Sequence, residues 1–478
     1  MRTQLIALVC LAASLGAQAA DIRESRQTAA SKAARAGEAE FRALYRELVE
    51  INTTLSVGSC TKAAEAMAAR LEAAGFAKDD MKIVGPTDRP QDGNLVAYLK
   101  GTDASLKPLL LLAHIDVVEA NREDWERDPF KLVEEDGFFY ARGSADDKAM
   151  AAVFTDSMVR FTKEGYKPKR GIKLALTCGE ESPNVFNGVK YLIEKHRDLI
   201  DAGFALNEGG GGRYDRETGV YRFVAVLAAE KLYQDFTLTT VNPGGHSSRP
   251  TPDNAIYQLV HALAKIEKHS FPIELNDTTR SYFAKFGAIE GGQKGADMIA
   301  AAKTQDAAAI ERLRKDASVN AILHTNCVAT QLAGGHAPNA LPQRATANVN
   351  CRIFPGRDPA SIRDELSRVI GDAGVKVEFQ STPETPGAPP PLSKEVMGPI
   401  ESLSKDMFPG VAVIPTMAAG ATDCRFFTPA GIPCYGVSGM LSDGATTNAH
   451  GLNERMRVQS LLEGREFLHR LVKSYTGK

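Results

Sequence analysis

Continuous apolar runs that alternate with helical segments are the feature that most constrains this fold. Three such runs have the character of strands, at residues 107–113, 171–178 and 203–207. The segments 147–164 and 187–198 show helical periodicity. A strand that is apolar at every position is buried on both faces of its sheet. The pattern therefore predicts an α/β fold with a mainly parallel sheet flanked by helices.

The pattern changes near residue 231. Residues 235–241 and 344–353 alternate polar and apolar side chains, which is typical of strands with one face in water. Residues 295–318 are rich in Ala and charge and are predicted to be helical. A Pro-rich stretch, residues 383–391, has the composition of a linker, and apolar strands return after it. We therefore predict one discontinuous domain, residues 21–230 and 384–478, with an inserted α+β domain at residues 231–383.

The first twenty residues have the composition of an export signal. Arg2 precedes an apolar run at residues 5–15, and residues 17–19 match the small-residue cleavage pattern. This run is too short for a membrane anchor, because a bilayer span needs about 20 residues. We expect residues 1–20 to be removed and the protein to be exported, either to a periplasm or to the outside of the cell.

The charge balance indicates which class of partner the protein binds. Lys and Arg number 57 against 59 Asp and Glu, so the net charge is −2. No basic excess indicates a nucleic-acid or membrane partner, and a small molecule or peptide is favoured. Six cysteines remain after the signal, without a CxxC pair, and both disulfides and buried free thiols stay open. Cys424 and Cys434 are the pair that a short hairpin would join.

Acidic and histidine side chains cluster where predicted strands end. Sites in open α/β sheets form at the carboxyl ends of strands, so these residues are expected to meet. Buried like charges repel one another, and Lys148 alone cannot balance them. A pair of divalent cations would balance them, and His with carboxylate ligands suits Zn²⁺, with Mn²⁺ or Co²⁺ as substitutes. The clustered residues are His114, Asp116, Asp146, Asp147, Glu180, Glu181 and Glu208.

The order of these motifs resembles the dizinc exopeptidases of peptidase family M20. That family includes glutamate carboxypeptidase, succinyl-diaminopimelate desuccinylase, aminoacylase and dipeptidases. The resemblance extends over roughly residues 40–470. Its motifs are HIDVV (114–118), YARGSADDK (140–148), GEE (179–181), NE (207–208), GGHSSRP (244–250), NALP (339–342), GATDCRF (420–426) and NAHG (448–451).

The resemblance implies a ligand set for two zinc ions per chain. His114, Asp146 and Glu208 would hold one ion, and Asp146, Glu181 and His450 the other, so that Asp146 bridges. Such bridging sets two metals about 3.5–4 Å apart in hydrolases. The peptide bond before Asp147 matches a position that is cis in the family.

The resemblance also implies catalytic roles. Glu180 resembles the general base that moves a proton from water to the leaving amine, and Asp116 resembles the carboxylate that orients His114. His246, on the inserted domain, matches the residue that stabilises the oxyanion, often from the partner subunit of a dimer.

Substrate contacts are implied as well. Asn339 and Arg352 match positions that grip the substrate, and Arg352 would bind a free carboxylate. Arg352 in a structural ion pair is the alternative. Arg425 matches a contact to the same end of the substrate. The insertion is long between about residues 270 and 320, which bears on the dimer surface or the cover of the pocket.

The predicted function is hydrolysis of an amide bond next to a free C-terminal carboxylate, by a carboxypeptidase or dipeptidase. Glu208 favours this class, because aminopeptidase relatives carry Asp there. An N-acyl-amino-acid deacylase is the alternative, since the same site cleaves both kinds of substrate. A non-catalytic metal- or peptide-binding protein is a remote third choice, which the presence of Glu180 disfavours. A homodimer through the inserted domain is expected from the resemblance.

Overall fold

The computed structural model describes residues 36–182, 184–215, 217–444 and 447–477. The predicted export signal, residues 1–20, lies outside the described residues. None of the helices in the described ranges is both long and apolar enough to cross a membrane.

The strands of the described residues are bounded as follows. They are β1 (Met81–Val84), β2 (Asn94–Leu99), β3 (Leu109–His114), β4 (Val133–Glu135), β5 (Phe138–Tyr140), β6 (Ile172–Thr177), β7 (Phe204–Asn207), β8 (Gly211–Tyr214), β9 (Tyr221–Glu230), β10 (Leu232–Val241), β11 (Gly245–His246), β12 (Asn326–Gly334), β13 (Ala340–Leu341), β14 (Arg344–Ile353), β15 (Val375–Phe379), β16 (Ala412–Ala418), β17 (Cys434–Gly436) and β18 (Arg455–Arg457).

The α-helices of the same ranges lie before, between and after these strands. They are α1 (Glu38–Glu50), α2 (Cys60–Ala73), α3 (Lys148–Lys163), α4 (Gly188–Lys195), α5 (Arg197–Ile200), α6 (Ala255–Lys268), α7 (Asp277–Glu290), α8 (Gly292–Thr304), α9 (Ala307–Leu313), α10 (Ala317–Asn320), α11 (Pro359–Ile370), α12 (Lys394–Met407), α13 (Cys424–Phe427) and α14 (Val458–Thr476).

A large mixed sheet forms the centre of the molecule. Across the described residues its strand order is β1-β2-β6-β3-β7-β17-β9-β16, with β8 paired to β9. The neighbours β6, β3, β7 and β17 run parallel, as do β9 and β16, whereas β1 and β2 add an antiparallel edge. The predicted α/β class with a mainly parallel sheet is confirmed.

The continuous apolar strands are explained by a separate core on each face of this sheet. Along β3, Leu109 and Leu111 pack into the core formed with α1, α2, α3 and α14. Leu110 and Leu112 point the other way, into the core formed with α4, α5 and α13. Because side chains alternate between the faces of a strand, a strand covered on both sides must be apolar throughout.

A second, antiparallel sheet has the order β12-β14-β10-β15. Phe236, Val349 and Leu366 belong to the core between this sheet and the helices α6 and α11. Alternate residues of β14, such as Asn348 and Arg352, lie on the opposite face and are only partly buried. One face of this sheet is therefore partly exposed to solvent, as the alternation of polar and apolar residues predicted. The domain limits 21–230, 231–383 and 384–478 themselves stay a prediction.

The Ala-rich segment, predicted as one helix at 295–318, differs from that prediction. It is divided among α8, α9 and α10, because Asp306 and Asp316 each cap a new helix through their side chains. The preceding α7 packs along β16, the outermost strand of the central sheet. There Lys285 Nζ donates to the backbone oxygen of Val413 at 3.0 Å. This part of the insertion therefore covers a sheet edge.

The cysteines of the described residues form disulfides. Cys424 pairs with Cys434, which is the pairing that the sequence singled out. Cys327 and Cys351 join the neighbouring strands β12 and β14. The third pair is Cys60 with Cys178.

Candidate metal centre and active site

The carboxyl ends of three neighbouring strands bring the predicted ligands together. His114 is the last residue of β3, Glu181 follows the end of β6, and Glu208 directly follows β7. β3 pairs in parallel with both β6 and β7. The ends of these strands therefore lie at one edge of the sheet, where open α/β folds place their sites.

The imidazole of His114 is buried at the centre of this edge. Its Nε2 atom lies 3.1 Å from Oδ1 of Asp146 and 3.9 Å from Oε2 of Glu208. Its Nδ1 atom lies 3.1 Å from the backbone oxygen of Asp116 and 3.6 Å from the carboxylate Oδ1 of the same residue. An N–H on Nδ1 that donates to this carbonyl leaves Nε2 to face the carboxylates, as a metal ligand requires.

Asp146 lies between two imidazoles. Its Oδ2 atom is 3.3 Å from Nε2 of His450, while its Oδ1 faces His114. The same Nε2 of His450 is 2.9 Å from Oε2 of Glu181. The peptide bond between Asp146 and Asp147 is cis, as the resemblance implies. Asp146 thus occupies the position from which one carboxylate can reach two ions.

The ligand atoms form two overlapping groups, each within 4.8 Å. One group joins His114 with Asp146 and Glu181, and the other joins His114 with Asp147 and Glu208. Asp147 is an addition to the predicted ligand set. Its Oδ2 atom is buried, and no group among the described residues donates a hydrogen bond to it. Two imidazoles and several carboxylates, without thiolates, make a donor set that fits divalent metal ions.

Two glutamates of this cluster resist ionisation, whereas the imidazoles of His114 and His450 lower the pKa of Asp146. Burial raises the pKa of Glu181 to about 7 and the pKa of Glu208 well above its usual value. Lys148 does not balance their charge, because its Nζ donates to the backbone oxygen of Ile51 at 2.6 Å. A bound cation would favour the ionised carboxylates, so the charge pattern also fits a metal centre.

The imidazoles, by contrast, favour their charged form, because their pKa values are raised as well. Hydrogen bonding to Asp146 raises the pKa of His450 to about 9. Burial lowers the pKa of His114, but the hydrogen bonds to Asp116 and Asp146 outweigh it and raise the pKa overall. A metal ion must therefore displace protons from both rings to bind them.

Asp116 does more than face His114. Its Oδ1 accepts a hydrogen bond from the backbone N–H of Glu180 at 3.2 Å, and its Oδ2 accepts one from the N–H of Glu181 at 3.0 Å. The carboxylate therefore fixes the turn that carries both glutamates. Its backbone oxygen, rather than its carboxylate, is the closer partner of His114 Nδ1.

Glu180 lies beside the ligand cluster. Burial raises its pKa to about 8, and the negative charge of Asp423 adds to this effect, while His114 and Arg425 oppose it. Asp423 is itself buried and accepts a hydrogen bond from Nδ2 of Asn187 at 2.7 Å. A carboxyl group with a raised pKa next to a metal cluster is suited to accepting and returning a proton.

The two predicted arginines lie on different parts of the fold, and the structure brings Arg425, but not Arg352, into electrostatic contact with Glu180. Arg352 is on the solvent-exposed face of β14, with its guanidinium 4.6 Å from the ring centre of Tyr233. Arg425 follows the loop after β16, and its Nε lies 3.7 Å from Oε1 of Glu384. The positive charge of Arg425 contributes to the lowered pKa of Arg352, although burial is the larger cause. The two guanidinium groups are therefore electrostatic neighbours.

His246 and Asn339 are not brought to the ligand cluster. They lie on or beside the short ribbon of β11 and β13, where Ser247 N–H donates to the backbone oxygen of Asn339 at 3.0 Å. His246 is exposed, and its Nδ1 lies 2.8 Å from Oγ of Ser248. Within the described ranges it makes no hydrogen bond or ion pair with the acidic residues.

Sequence reasoning missed two buried acids beside the site. Asp423 lies inside a motif that carried the resemblance, so its proximity to Glu180 could have been suspected. Glu454 follows His450 by only four residues, and its carboxylate accepts hydrogen bonds from the chain segment that leads to Asp146. No periodicity or motif that we used signals this second contact, because it joins segments about 300 residues apart.

The comparison with protein families decides the assignment. The model of Peptidase family M20/M25/M40 matches residues 110–474, which is most of the chain. The chain belongs to this family. Together with the donor set, membership makes it a metallohydrolase of peptide or amide bonds.

Individual relatives agree with the family. An N-fatty-acyl-amino acid synthase/hydrolase, PM20D1 of Xenopus tropicalis, is 29% identical over 372 residues, covering 76% of this chain and 71% of the relative. A probable carboxypeptidase S-like 2 of Dictyostelium discoideum is 28% identical over 388 residues, covering 80% and 74%.

A solved structure shows the same fold. The M20 family metallo-carboxypeptidase Sso-CP2 from Sulfolobus solfataricus superposes with a TM-score of 0.67 at 18% identity, covering 91% of this chain and 99% of that one.

Proposed function

We propose that this family member is an exported, zinc-dependent exopeptidase that hydrolyses the amide bond next to a free carboxylate. The observation that carries the proposal is the position of Asp146 between His114 and His450, with the Glu180–Glu181 turn fixed beside it by Asp116. A site for two cations with an adjacent carboxyl group has the parts that amide hydrolysis needs.

His114, Asp146, Asp147, Glu181, Glu208 and His450 would hold two ions, and zinc suits their imidazole and carboxylate donors. When bound, the ions supply Lewis acidity, which polarises a carbonyl and makes water a better nucleophile near neutral pH. Co²⁺ and Mn²⁺ are the expected substitutes. Metal analysis of the purified chain tests this assignment: zinc near two per chain is expected, and a chain that takes up neither zinc, cobalt nor manganese would contradict it.

The protein groups move protons and orient the substrate. The carboxylate of Glu180 accepts a proton from water and returns it to the departing nitrogen. His246 donates a hydrogen bond to the oxyanion once the inserted domain, or that of a partner subunit, covers the site. Arg352 binds the free carboxylate through its planar pair of N–H groups, and Asn339 and Arg425 contact the same end of the substrate.

Replacing the base tests the chemistry. In Glu180→Gln we expect the metal content to stay near two per chain while turnover falls at least about a hundredfold, which is the range of general-base catalysis. Glu194→Gln, at an exposed position of α4, is the control and should behave as the unaltered protein. Unchanged turnover in Glu180→Gln would show that the base is assigned wrongly.

A substrate panel tests the specificity. Peptides with a free C-terminus should be cleaved, and their amidated forms should be poor substrates, because Arg352 needs a carboxylate partner. Arg352→Ala should raise KM for the free forms and leave the amidated forms unchanged. Equal cleavage of both forms would defeat the assignment, and metal binding without cleavage of any panel member would favour a non-catalytic binding protein.

A groove favours the second candidate function, N-acyl-amino-acid hydrolysis. It has a volume of about 540 Å³ and lies between the helical part of the insertion and the carboxyl end of β16. Tyr282, Ile322 and Met417 line it. Met417 is five residues before Thr422, whose Oγ1 accepts a hydrogen bond from Asn207, the neighbour of Glu208. Relatives named as N-fatty-acyl-amino acid hydrolases support an acyl chain as its occupant.

The same panel separates the two candidates. If the groove holds an acyl chain, kcat/KM should rise with chain length in N-acyl amino acids, and Ile322→Trp should remove that dependence while dipeptide cleavage stays unchanged. A flat dependence on chain length would leave the exopeptidase as the sole function.

The disulfides support export, because such bonds persist in oxidising compartments and are rare in the cytosol. Amino-terminal sequencing of the mature protein from a cell envelope or culture supernatant should begin after residue 20. An intact leader on a cytosolic protein with free thiols would contradict this part of the proposal.

A homodimer through the inserted sheet is supported by an exposed apolar surface. Val328 and Leu332 on the edge strand β12 are 60% and 61% exposed, and Tyr257 on the adjacent α6 is 63% exposed. An unpaired edge strand is a template for pairing with another chain. Sedimentation of the protein and of Leu332→Lys should show a dimer for the former and a monomer for the latter. A monomeric parent protein would contradict the dimer.

A further inference from the structure

Glu454 is a buried carboxylate that the proposed chemistry does not use. It is fully buried, and four donors converge on it. Its Oε1 accepts from the backbone N–H of Ala145 at 2.8 Å and of Asp146 at 3.0 Å. Its Oε2 accepts from the N–H of Gly143 at 2.9 Å and from Nη1 of Arg142 at 2.7 Å. Three backbone donors of one short segment, at residues 143, 145 and 146, thus converge on one anion, an arrangement that holds an anion strongly.

Arg142 makes a second link between the same two segments. While its Nη1 binds Glu454, its Nη2 donates to the backbone oxygen of Gly451 at 3.0 Å. Its guanidinium lies 5.1 Å from the ring centre of Trp125, and only 3% of its side chain is exposed. The segment 142–146, which ends at Asp146, is thus bound to the segment 451–454, which begins directly after His450.

The loop that presents His450 needs such a support. Asn448, His450 and Asn453 have φ values of 55°, 62° and 53°, in the left-handed region that side chains disfavour. Residues other than glycine are uncommon in this region. A loop with three of them keeps this shape only if its surroundings hold it there. The contacts of Arg142 and Glu454 hold the end of the loop that follows His450.

We propose that Glu454, paired with Arg142, is a positioning residue that sets the distance between Asp146 and His450 before any metal binds. The inference rests on the proposed function in that it takes these two residues as ligands. Groups that orient ligands without touching the ion contribute to affinity by fixing the ligand geometry in advance. Loss of the link is expected to weaken most the ion held by Asp146, His450 and Glu181, because the link acts on both Asp146 and His450. The ion held by His114, Asp146 and Glu208 should weaken less, because only its Asp146 ligand is affected.

The test is a metal titration of the chelator-treated full chain. Zn²⁺ binding by calorimetry, and Co²⁺ binding by its absorption spectrum, resolve a tighter and a weaker ion. In Glu454→Gln the amide N–H₂ of the new side chain faces backbone N–H donors, which it cannot accept from. The link between the segments 142–146 and 451–454 is therefore weakened. We expect the ion that depends on both Asp146 and His450 to bind about 10–100-fold more weakly, the usual effect of losing such a partner, and the other ion to lose less affinity.

A matched control separates positioning from stability. Asp156 and Arg465 form another buried ion pair of the same domain, with a distance of 2.7 Å between Oδ2 and Nε, and Asp156 lies outside the metal cluster. Asp156→Asn should lower the Tm in the way that Glu454→Gln does, yet bind both ions as the parent protein does. Equal weakening of metal binding in both variants would reduce Glu454 to a structural role and overturn the inference.

A second variant keeps the inference testable if Glu454→Gln fails to fold. Arg142→Lys keeps the positive charge but cannot reach both Glu454 and Gly451, so it should weaken the same ion to a smaller degree. Parent-like affinity for both ions in the folded variants would overturn the inference while leaving the Glu180 experiment valid. A parent protein that binds no ion would instead contradict the proposed function.

Discussion

The metal-ligand cluster and the substrate-side residues of the insertion differ in how firmly the chain holds them. In the cluster, His114 is buried, and the Asp146 segment is fixed by donors that bind Glu454. On the insertion, His246 is exposed on a two-residue strand, and its imidazole contacts Ser248 of its own loop. In the cluster the exposed ligand is His450, whose loop is linked to the Asp146 segment through Arg142 and Glu454, whereas no comparable link holds His246 among the described residues.

This difference suggests a division of labour. A metal centre needs its ligands in place in advance, because each misplaced donor costs affinity. Substrate-binding groups must instead let the substrate enter, so they are more useful on a part that closes afterwards. Arg352 is held more firmly than His246, since its guanidinium lies over the ring of Tyr233. It is also close enough to Arg425 for the charge of Arg425 to lower its pKa.

Removal of the bridging carboxylate should have the largest effect. Asp146→Asn takes away a negative charge that both imidazoles face, so we expect metal content to fall below one ion per chain and turnover to approach background. Metal analysis and hydrolysis of a dipeptide measure both quantities. Asp88→Asn, at an exposed position, is the control. Two retained ions with normal turnover would break the comparison, because the cluster would then not depend on its central residue.

The exposed half of the site should respond differently. His246→Ala is expected to lower kcat by about 10²–10³-fold, as does the loss of an oxyanion donor elsewhere, without changing the metal content. His261→Ala, on the exposed face of α6, is the control. Loss of metal together with activity would place His246 in the cluster and contradict the division described above.

Mixing two inactive variants sharpens this prediction. If His246 serves the site of a partner subunit, dimers formed from His246→Ala and Glu180→Gln chains contain one intact site, and activity should return on mixing. If each chain closes over its own site, the mixture should stay inactive.

Much of the ligand cluster could be predicted from the sequence, because the ends of buried strands can be predicted. The run before His114 is apolar at every position, and the structure shows why: Leu110 and Leu111 enter different cores. Once such strands are recognised, the polar residues that follow them must meet at one edge of a parallel sheet. The strand-end residues therefore followed from local patterns together with one rule of topology, whereas His450 and the division of the ligands between two ions came from the family resemblance.

Other features depend on contacts that no local pattern encodes. Along β12, most residues are exposed on both faces, so the strand has no periodicity to detect. The ion pair between Arg142 and Glu454 joins distant segments of the chain. The division of residues 295–318 into shorter helices depended on Asp306, a capping residue that the helical composition concealed.

The smallest predicted effect concerns stability and pH in the chelated protein. The pKa of Glu181 rises in the fold from 4.5 to about 7 and that of Glu180 from 4.5 to about 8, chiefly through burial. The folded state therefore binds more protons than the unfolded chain above pH 4.5, and the free energy of unfolding falls as the pH rises toward 8. His450, whose pKa rises from 6.5 to about 9, stabilises the fold below pH 6.5 and loses that contribution as the pH rises through 9.

Both effects have the same sign, so the Tm of the chelated protein should fall between pH 5.5 and 7. Above pH 7 Lys148 and Lys231, whose pKa burial lowers to about 7, act in the opposite direction. Cations in the cluster would compensate the ionised carboxylates, and the zinc-loaded protein should lose less stability from pH 5.5 to 7. Thermal unfolding of both forms at several pH values measures the difference. Because the insertion contributes no group to this cluster, His246→Ala should leave the difference unchanged, whereas Glu181→Gln should reduce it. A chelated protein whose Tm rises from pH 5.5 to 7 would show that the buried acids are ionised without a metal, and the contrast between the two halves of the site would then need another cause.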